Sequence, residues 1–239
     1  MLGAREGGRD VPNRLKRHFL TVRVSEPSAD AMQQIFGPMI RAHFSPESGA
    51  PPDVLAASEK LTSMTVLLCQ ALKQKLVPTP TKFHYSFGLR DIARVLQGIF
   101  TCPVLEVLES EGVVASLWAH ECLRVFADRL VDQADKTLFA SVMHKALEDS
   151  FGKTRAERVL NQPAHFVAFM RGDGSSPEPG AAERVYAPVE DLQAVRECVQ
   201  EQLERFSAEY PSSATPLVLF TDALHHLMRI TRVLGTPRS

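Results

Sequence analysis

The stretch "FHYSFGLRDIARVLQG" (residues 83–98) passes from an aromatic segment through a glycine into a strongly periodic helix. One face of this helix is apolar and recurs at helical spacing: Leu89, Ile92, Val95, Leu96, Ile99 and Phe100. Arg90, Arg94 and Gln97 share the opposite face, Gly88 stands at the N-cap position, and Asp91 falls in the first turn. Because a helix N-terminus favours negative charge, Arg90 is electrostatically misplaced there unless an anion joins it.

The sequence leaves two interpretations of Arg90 open. A solvent-exposed arginine at a helix start is common, and it can simply pair with Asp91, Asp128 or another nearby acid. The aromatic residues before Gly88 would hold Arg90 in a fixed position, however, and this favours a bound anion.

Helical periodicity recurs along most of the chain and predicts a mainly α-helical fold. The predicted helices cover residues 29–44, 53–76, 89–100, 113–132, 135–150, 189–209 and 215–234. Only "HFLTVRV" (18–24) alternates with β-branched residues, which predicts one short strand near the N-terminus. Gly, Ser and Pro concentrate in residues 172–182, which we expect to be a loop and a boundary.

The composition excludes several classes of partner. The 239 residues are 44% hydrophobic and 23% charged, with a net charge of −1, so the chain has no global attraction to nucleic acid or to an anionic membrane. No apolar run approaches the length of a membrane span. The four cysteines are widely spaced without a C-x-x-C motif, which predicts neither a disulfide framework nor a zinc site: Cys69, Cys102, Cys122 and Cys198. A cytoplasmic protein without a bound metal is the resulting expectation.

No catalytic motif is present in the sequence. "FGKT" (151–154) ends like a phosphate-binding loop, but the motif needs a glycine at the position of Leu147, so we interpret it as a turn. His225 and His226 are adjacent and would point about 100° apart on a helix, which makes a shared metal ion unfavourable.

A second basic element, "NRLKRHF" (13–19), contains no acid. The simplest interpretation is a solvated basic loop. The functional alternative is that one arginine projects as a finger, since its planar fork of donors suits phosphate oxygens on a neighbouring unit.

Four long segments, in order, resemble dynein heavy chains, especially the axonemal type: "GGRDVPNRLKRHF", "PTPTKFHYSFGLRDIARVLQGIF", "LWAHECLRVFADRLVDQADKTLF" and "PLVLFTDALHHLMRITRVLGTPR". The resemblance runs from Gly7 to Arg238 and covers the last part of the third AAA+ module and the approach to the fourth. It departs from the family at Gly88, where asparagine is common, at Ser116, where arginine or another polar residue is common, and in the N-terminal "MLGARE".

The resemblance implies an AAA+ lid-type helical bundle with one short N-terminal strand, followed by linking helices. Residues 1–24 would end the large subdomain, residues 25–171 would form the lid, and residues 183–239 would lead to the next module. Arg90 matches the sensor II arginine, and Arg17, with Arg14 as the alternate, matches the arginine-finger region.

The resemblance also implies a ring of six AAA+ modules that hydrolyses ATP to move along microtubules in cilia and flagella. The remaining modules and dynein subunits would be the partners, with microtubules contacted indirectly, and ATP or ADP with magnesium would bind only in the intact motor. We expect the chain alone, as a fragment of that motor, to be inactive. The rival hypothesis is a freestanding helical module that binds an acidic or apolar protein partner.

Overall fold

The computed structural model describes residues 12–20, 22, 25–170, 185–189, 191–213 and 217–235. The α-helices in these ranges are α1 (Asn13–Lys16), α2 (Ala29–His43), α3 (Pro52–Lys75), α4 (Leu89–Phe100), α5 (Val104–Val107), α6 (Glu111–Cys122), α7 (Gln133–Phe151), α8 (Lys153–Asn161), α9 (Leu192–Glu209) and α10 (Thr221–Gly235). The strands are β1 (His165–Val167) and β2 (Ala187–Val189), and a π-helix (Leu123–Ala127) continues α6. The mainly α-helical fold predicted from the sequence is confirmed.

Helix α3 lies at the centre of the main core, packed against α2, α4, α6 and α7. Its buried apolar residues are spread around the helix rather than along one stripe: Val54, Ala57, Leu61, Met64, Val66, Leu68, Cys69 and Leu72. A helix that is apolar on most of its circumference must be surrounded by other elements, which explains why four helices enclose it.

Helix α4 closes one side of this core and begins where the sequence predicts. Ile92, Val95, Leu96 and Ile99 are buried, whereas Arg90, Arg94 and Gln97 are exposed. The apolar stripe therefore fixes the rotation of α4 about its own axis, and the polar face is exposed to solvent as expected.

A two-stranded antiparallel sheet lies beside α6, with Phe166 opposite Pro188 in the register. The sequence analysis did not predict this sheet, because a strand of three residues is too short to display an alternating pattern. The strand predicted over 18–24 does not form at residues 18–20 and 22, and the rest of that stretch lies outside the described residues.

Helix α8 was also not predicted separately. It follows α7 after the single residue Gly152, whose φ of +81° suits glycine because it lacks a Cβ. The sequence "FGKT" therefore joins two helices, in agreement with its interpretation as a turn. A phosphate-binding loop would instead follow a β-strand.

Helices α9 and α10 share a smaller core with the end of the sheet: Val167, Met170, Val195, Cys198, Leu224 and Met228. Helix α10 begins at Thr221, later than predicted, and the predicted loop over 172–182 lies outside the described residues. None of the described helices combines the length and the apolar composition that crossing a lipid bilayer would require.

Candidate functional site at the start of helix α4

Arg90 occupies the second position of α4 with an exposed side chain. Within the described part of the chain, it makes neither a hydrogen bond nor an ion pair. Arg94, one turn later, is 57% exposed and lies 3.8 Å from Asp91. The guanidinium of Arg90 is therefore available to a ligand that approaches the N-terminus of α4.

The two acids suggested as partners of Arg90 are engaged elsewhere. Asp91 is buried, and its Oδ2 accepts a hydrogen bond from the backbone N–H of Gly88 at 3.0 Å. Its Oδ1 forms an ion pair with Nη2 of Arg129 at 2.6 Å. Asp128 accepts two hydrogen bonds from Arg229, at 2.6 and 2.7 Å. The pairing that would make Arg90 a purely structural residue is absent at both acids.

The aromatic segment before α4 is held in place, as the sequence analysis expects. The Tyr85 hydroxyl donates to Oδ2 of Asp135 at 2.8 Å and accepts from the backbone N–H of Val131 at 3.0 Å. Lys82 forms ion pairs with Asp132 and Asp135. These contacts tie the segment to the turn before α7 and to the first turn of α7.

The pKa shifts in this cluster follow from those contacts. Burial raises the pKa of Tyr85, which therefore stays a hydrogen-bond donor to Asp135 at neutral pH. The hydrogen bonds from Lys82 and Tyr85 lower the pKa of Asp135, and the two aspartates raise the pKa of Lys82. These shifts keep Tyr85 and Lys82 protonated and Asp135 ionised, as their hydrogen bonds and ion pairs require.

This arrangement can bind an oxyanion. The first backbone N–H groups of a helix have no intrahelical acceptor, and the helix dipole favours negative charge at that end. Arg90 adds a planar set of donors beside them, which is suited to phosphate oxygens. In the described residues, no group of three or more His, Cys, Asp or Glu side chains is arranged to hold a metal ion.

Arg14 and Arg17 lie on and just after α1, in an exposed segment. Nε of Arg17 donates to Nε2 of His18 at 3.2 Å. None of the hydrogen bonds or ion pairs among the described residues connects Arg14 or Arg17 with Arg90. The roles of the two basic elements remain separate predictions.

Arg129 is a residue of the site that the sequence analysis did not identify. It stands 38 positions after Asp91, so no local spacing connects the two residues. Arg129 shares a face of the predicted helix with Val125 and Phe126, but this position does not indicate a contact with α4.

Comparison with known proteins agrees with this fold. The AAA+ lid domain family matches residues 61–160, which include Arg90, Asp91 and Arg129. Mouse dynein axonemal heavy chain 5 is 37% identical over 240 residues, and human dynein axonemal heavy chain 10 is 35% identical over 241 residues. The dynein-1-beta heavy chain of the flagellar inner arm I1 complex of Chlamydomonas reinhardtii is 35% identical over 236 residues.

These similarities extend over 97 to 99% of the chain, but over only 5% of each of the three relatives. The chain therefore spans about one-twentieth of the length of the curated relatives that it matches.

Proposed function

Because the chain belongs to the dynein heavy chain family, we propose that it serves as the lid of a nucleotide-binding AAA+ module in an ATP-driven microtubule motor. The third module is the one that its sequence resembles. In this role the bundle around α3 would cover a nucleotide held by the neighbouring large subdomain, and α9 and α10 would lead toward the next module.

The observation that carries the proposal is that Arg90 is held in a fixed position without a described partner for its charge. Its helix is anchored by a buried stripe, the segment before it is fixed by Lys82 and Tyr85, and its guanidinium has no partner among the described residues. A cation held at the positive end of a helix is unfavourable by about 0.3–1 kcal/mol unless an anion offsets it. The nucleotide phosphate of the lid's own module is the anion that we propose for Arg90.

Two measurements with Arg90→Ala test this role. In the 239-residue chain, the substitution is expected to leave the melting temperature unchanged or slightly raised, because it removes an unpaired cation from a helix N-terminus. In an intact motor, it is expected to weaken the binding of Mg·ADP to the module by about 1.5–3 kcal/mol, the scale of a charged hydrogen bond.

Arg94→Ala is the matched control, since it removes the same side chain one turn further along the exposed face. We expect a smaller loss of affinity for this variant. A destabilised chain together with unchanged nucleotide affinity for Arg90→Ala would reject the sensor role and would assign Arg90 to the structure alone.

Arg17, with Arg14 as the alternate, is proposed to act on the nucleotide of the preceding module. Both lie in an exposed basic segment before the lid. An arginine finger stabilises charge on the phosphoryl group, and in this proposal it is supplied in trans.

The partners in this proposal are the other AAA+ modules of the ring and the other subunits of a dynein complex, with microtubules contacted only by the assembled motor. ATP or ADP with magnesium would bind between this lid and the large subdomain. The relatives named above are axonemal and flagellar proteins, which supports a location in the axoneme of a cilium or flagellum.

A further inference from the structure

Arg129 contacts the segment before α4 at several points. Its Nη1 donates to the carbonyl oxygen of Ser86 at 3.2 Å, and its guanidinium lies 4.8 Å from the ring centre of Phe87. Its Nη2 lies 2.6 Å from Oδ1 of Asp91. One side chain thereby contacts the residues on both sides of Gly88, where the chain turns into α4.

Two further contacts hold Arg129 in place, one through its backbone and one through its side chain. Its carbonyl oxygen lies 3.0 Å from Nε2 of His84, within hydrogen-bond distance. Nε of Arg129 donates to the carbonyl oxygen of Val125 at 3.1 Å, which holds the side chain against its own π-helical turn. The guanidinium is therefore fixed on the core side as well as on the α4 side.

Asp91 depends on this arginine. It is buried, so its carboxylate requires polar partners, and the described ones are the N–H of Gly88, Arg129 and the more distant Arg94. Without Arg129, the carboxylate would keep one hydrogen bond and a weak contact. The hydrogen bond from Gly88 to Asp91 would then be weakened, and the first turn of α4 would no longer be held in one direction.

Lysine could not replace these contacts. The planar fork of arginine allows Nη1 and Nε to donate to two carbonyl oxygens and Nη2 to form an ion pair with Asp91, while the same guanidinium lies beside the ring of Phe87. A lysine ammonium is a single point charge and would satisfy Asp91 or Ser86 but not the whole set.

We infer that Arg129 is a positioning residue for the anion site at the start of α4, and that it sets the direction in which Arg90 meets a nucleotide phosphate. The inference rests on the proposed function, because Arg90 is the side chain being positioned. Arg129 does not contact the nucleotide in this scheme. It acts through Asp91, Ser86 and Phe87.

A double-mutant cycle tests this inference in an intact dynein motor in which the phosphate-binding loops of the other modules are inactivated. Fluorescent Mg·ADP is titrated into four forms: the unmodified motor, Arg129→Met, Arg90→Ala and the double variant. Arg129→Met should weaken binding about tenfold when Arg90 is present. When Arg90 is already alanine, it should change the affinity by less than about twofold, because no side chain remains to be positioned.

Arg155→Met is the matched control, since it removes an arginine whose ion pair is with Glu111 of α6 and not with Asp91. It should leave the affinity for Mg·ADP unchanged. Arg129→Lys keeps the charge and the stem, and its affinity should fall toward that of Arg129→Met. If Arg129→Met fails to fold, the double-mutant cycle is carried out with Arg129→Lys in its place.

The outcomes separate the inference from the proposed function. Unchanged affinity in Arg90→Ala would reject the sensor role, and with it the positioning role. Weakened binding in Arg90→Ala beside unchanged binding in Arg129→Met would reject the positioning role alone. Equal losses for Arg129→Met with and without Arg90 would assign Arg129 to general stability and would also overturn the inference.

Discussion

Glu121 has no exposed surface, yet its carboxylate joins elements that are distant in the sequence. The Tyr186 hydroxyl donates to Oε1 at 2.6 Å, and Nε of Arg124 donates to Oε2 at 2.9 Å. Nη2 of Arg232 lies 3.7 Å from Oε1. A buried charge is tolerated only with such partners, so at the residue scale this carboxylate defines where α6, α10 and the residue before β2 meet.

The opposite side of Glu121 fits against Gly98 of α4. A Cβ at position 98 would lie 1.9 Å from Oε2 of Glu121 and 2.2 Å from its Cδ. Glu121 cannot simply turn away, because Tyr186 and Arg124 hold both of its oxygens. Gly98 is therefore required by the close approach of α4 and α6.

Gly98→Ala should lower the free energy of unfolding by about 1–3 kcal/mol, the usual cost of overpacking a core. Gly112→Ala is the control, because it also adds a methyl group to a helical glycine but meets only Oγ of Ser110 at 3.7 Å. It should be neutral or should stabilise by less than about 1 kcal/mol. Urea denaturation of both variants measures the difference, and equal stabilities would contradict the close packing of Glu121 on Gly98.

At the scale of elements, α10 is attached to the main helical bundle by polar side chains as well as by its apolar residues. Arg229 binds both oxygens of Asp128, at 2.6 and 2.7 Å. Arg232 lies 4.4 Å from the ring centre of Tyr186 and donates to Oγ1 of Thr101 at 3.3 Å. The last described helix is thereby connected to the same region as α4 and α6.

Arg229→Met should loosen α10 without unfolding the main helical bundle. A partly exposed ion pair contributes up to about 1 kcal/mol, so amide hydrogen exchange in α10 should accelerate roughly fivefold while α3 and α7 stay protected. Arg205→Met removes an arginine ion pair within α9 and should leave exchange in α10 unchanged. Uniform acceleration in all helices would contradict a local role for Arg229.

The sequence predicts the long helices well because their apolar spacing is repeated over several turns. Helix α4 is the clearest case, with its N-cap at Gly88 and its exposed arginines as expected. The ion pair of Glu121 with Arg124 also has the spacing of neighbours on a helix surface. The complete burial of Glu121 does not follow, because its partner Tyr186 lies 65 positions away.

The short elements could not be predicted in the same way. Three-residue strands such as His165–Val167 depend on a partner rather than on a local pattern. At the candidate site, Arg90 and its anchoring aromatic segment were identified from residues close together in sequence. Arg129 was missed because tertiary folding alone brings it to Asp91.

At the scale of the whole molecule, three histidines lie where the main core, the sheet and α10 meet. The ring of His120 is 6.4 Å from that of His165, which is 5.0 Å from that of His225. Burial lowers the pKa of His120 to about 4, and the nearby His165, Arg124 and Arg232 act in the same direction, whereas Glu121 opposes them. Burial also lowers the pKa of His165, with His225 and Arg229 contributing.

These pKa shifts make the stability of the chain dependent on pH in one direction. The unfolded chain binds a proton at His120 near pH 6.5, whereas the folded chain does so only near pH 4. The stability contributed by neutral His120 is therefore fully present above about pH 6.5 and is lost as the pH falls toward 4. His165 acts with the same sign. The loss from His120 alone is up to about 3 kcal/mol.

His120→Phe should flatten this acid dependence. Phenylalanine keeps an aromatic ring beside Phe166, whose ring centre lies 5.5 Å from that of His120, but it cannot be protonated. We expect the free energy of unfolding of the original chain to fall by about 1–2 kcal/mol more than that of the variant between pH 7 and pH 5. Urea denaturation at both pH values measures this, and His144→Phe, at a partly exposed position of α7, is the matched control for the substitution itself. Parallel pH profiles for the original chain and His120→Phe would show that His120 titrates alike in the folded and unfolded states, and would contradict its burial as a neutral imidazole.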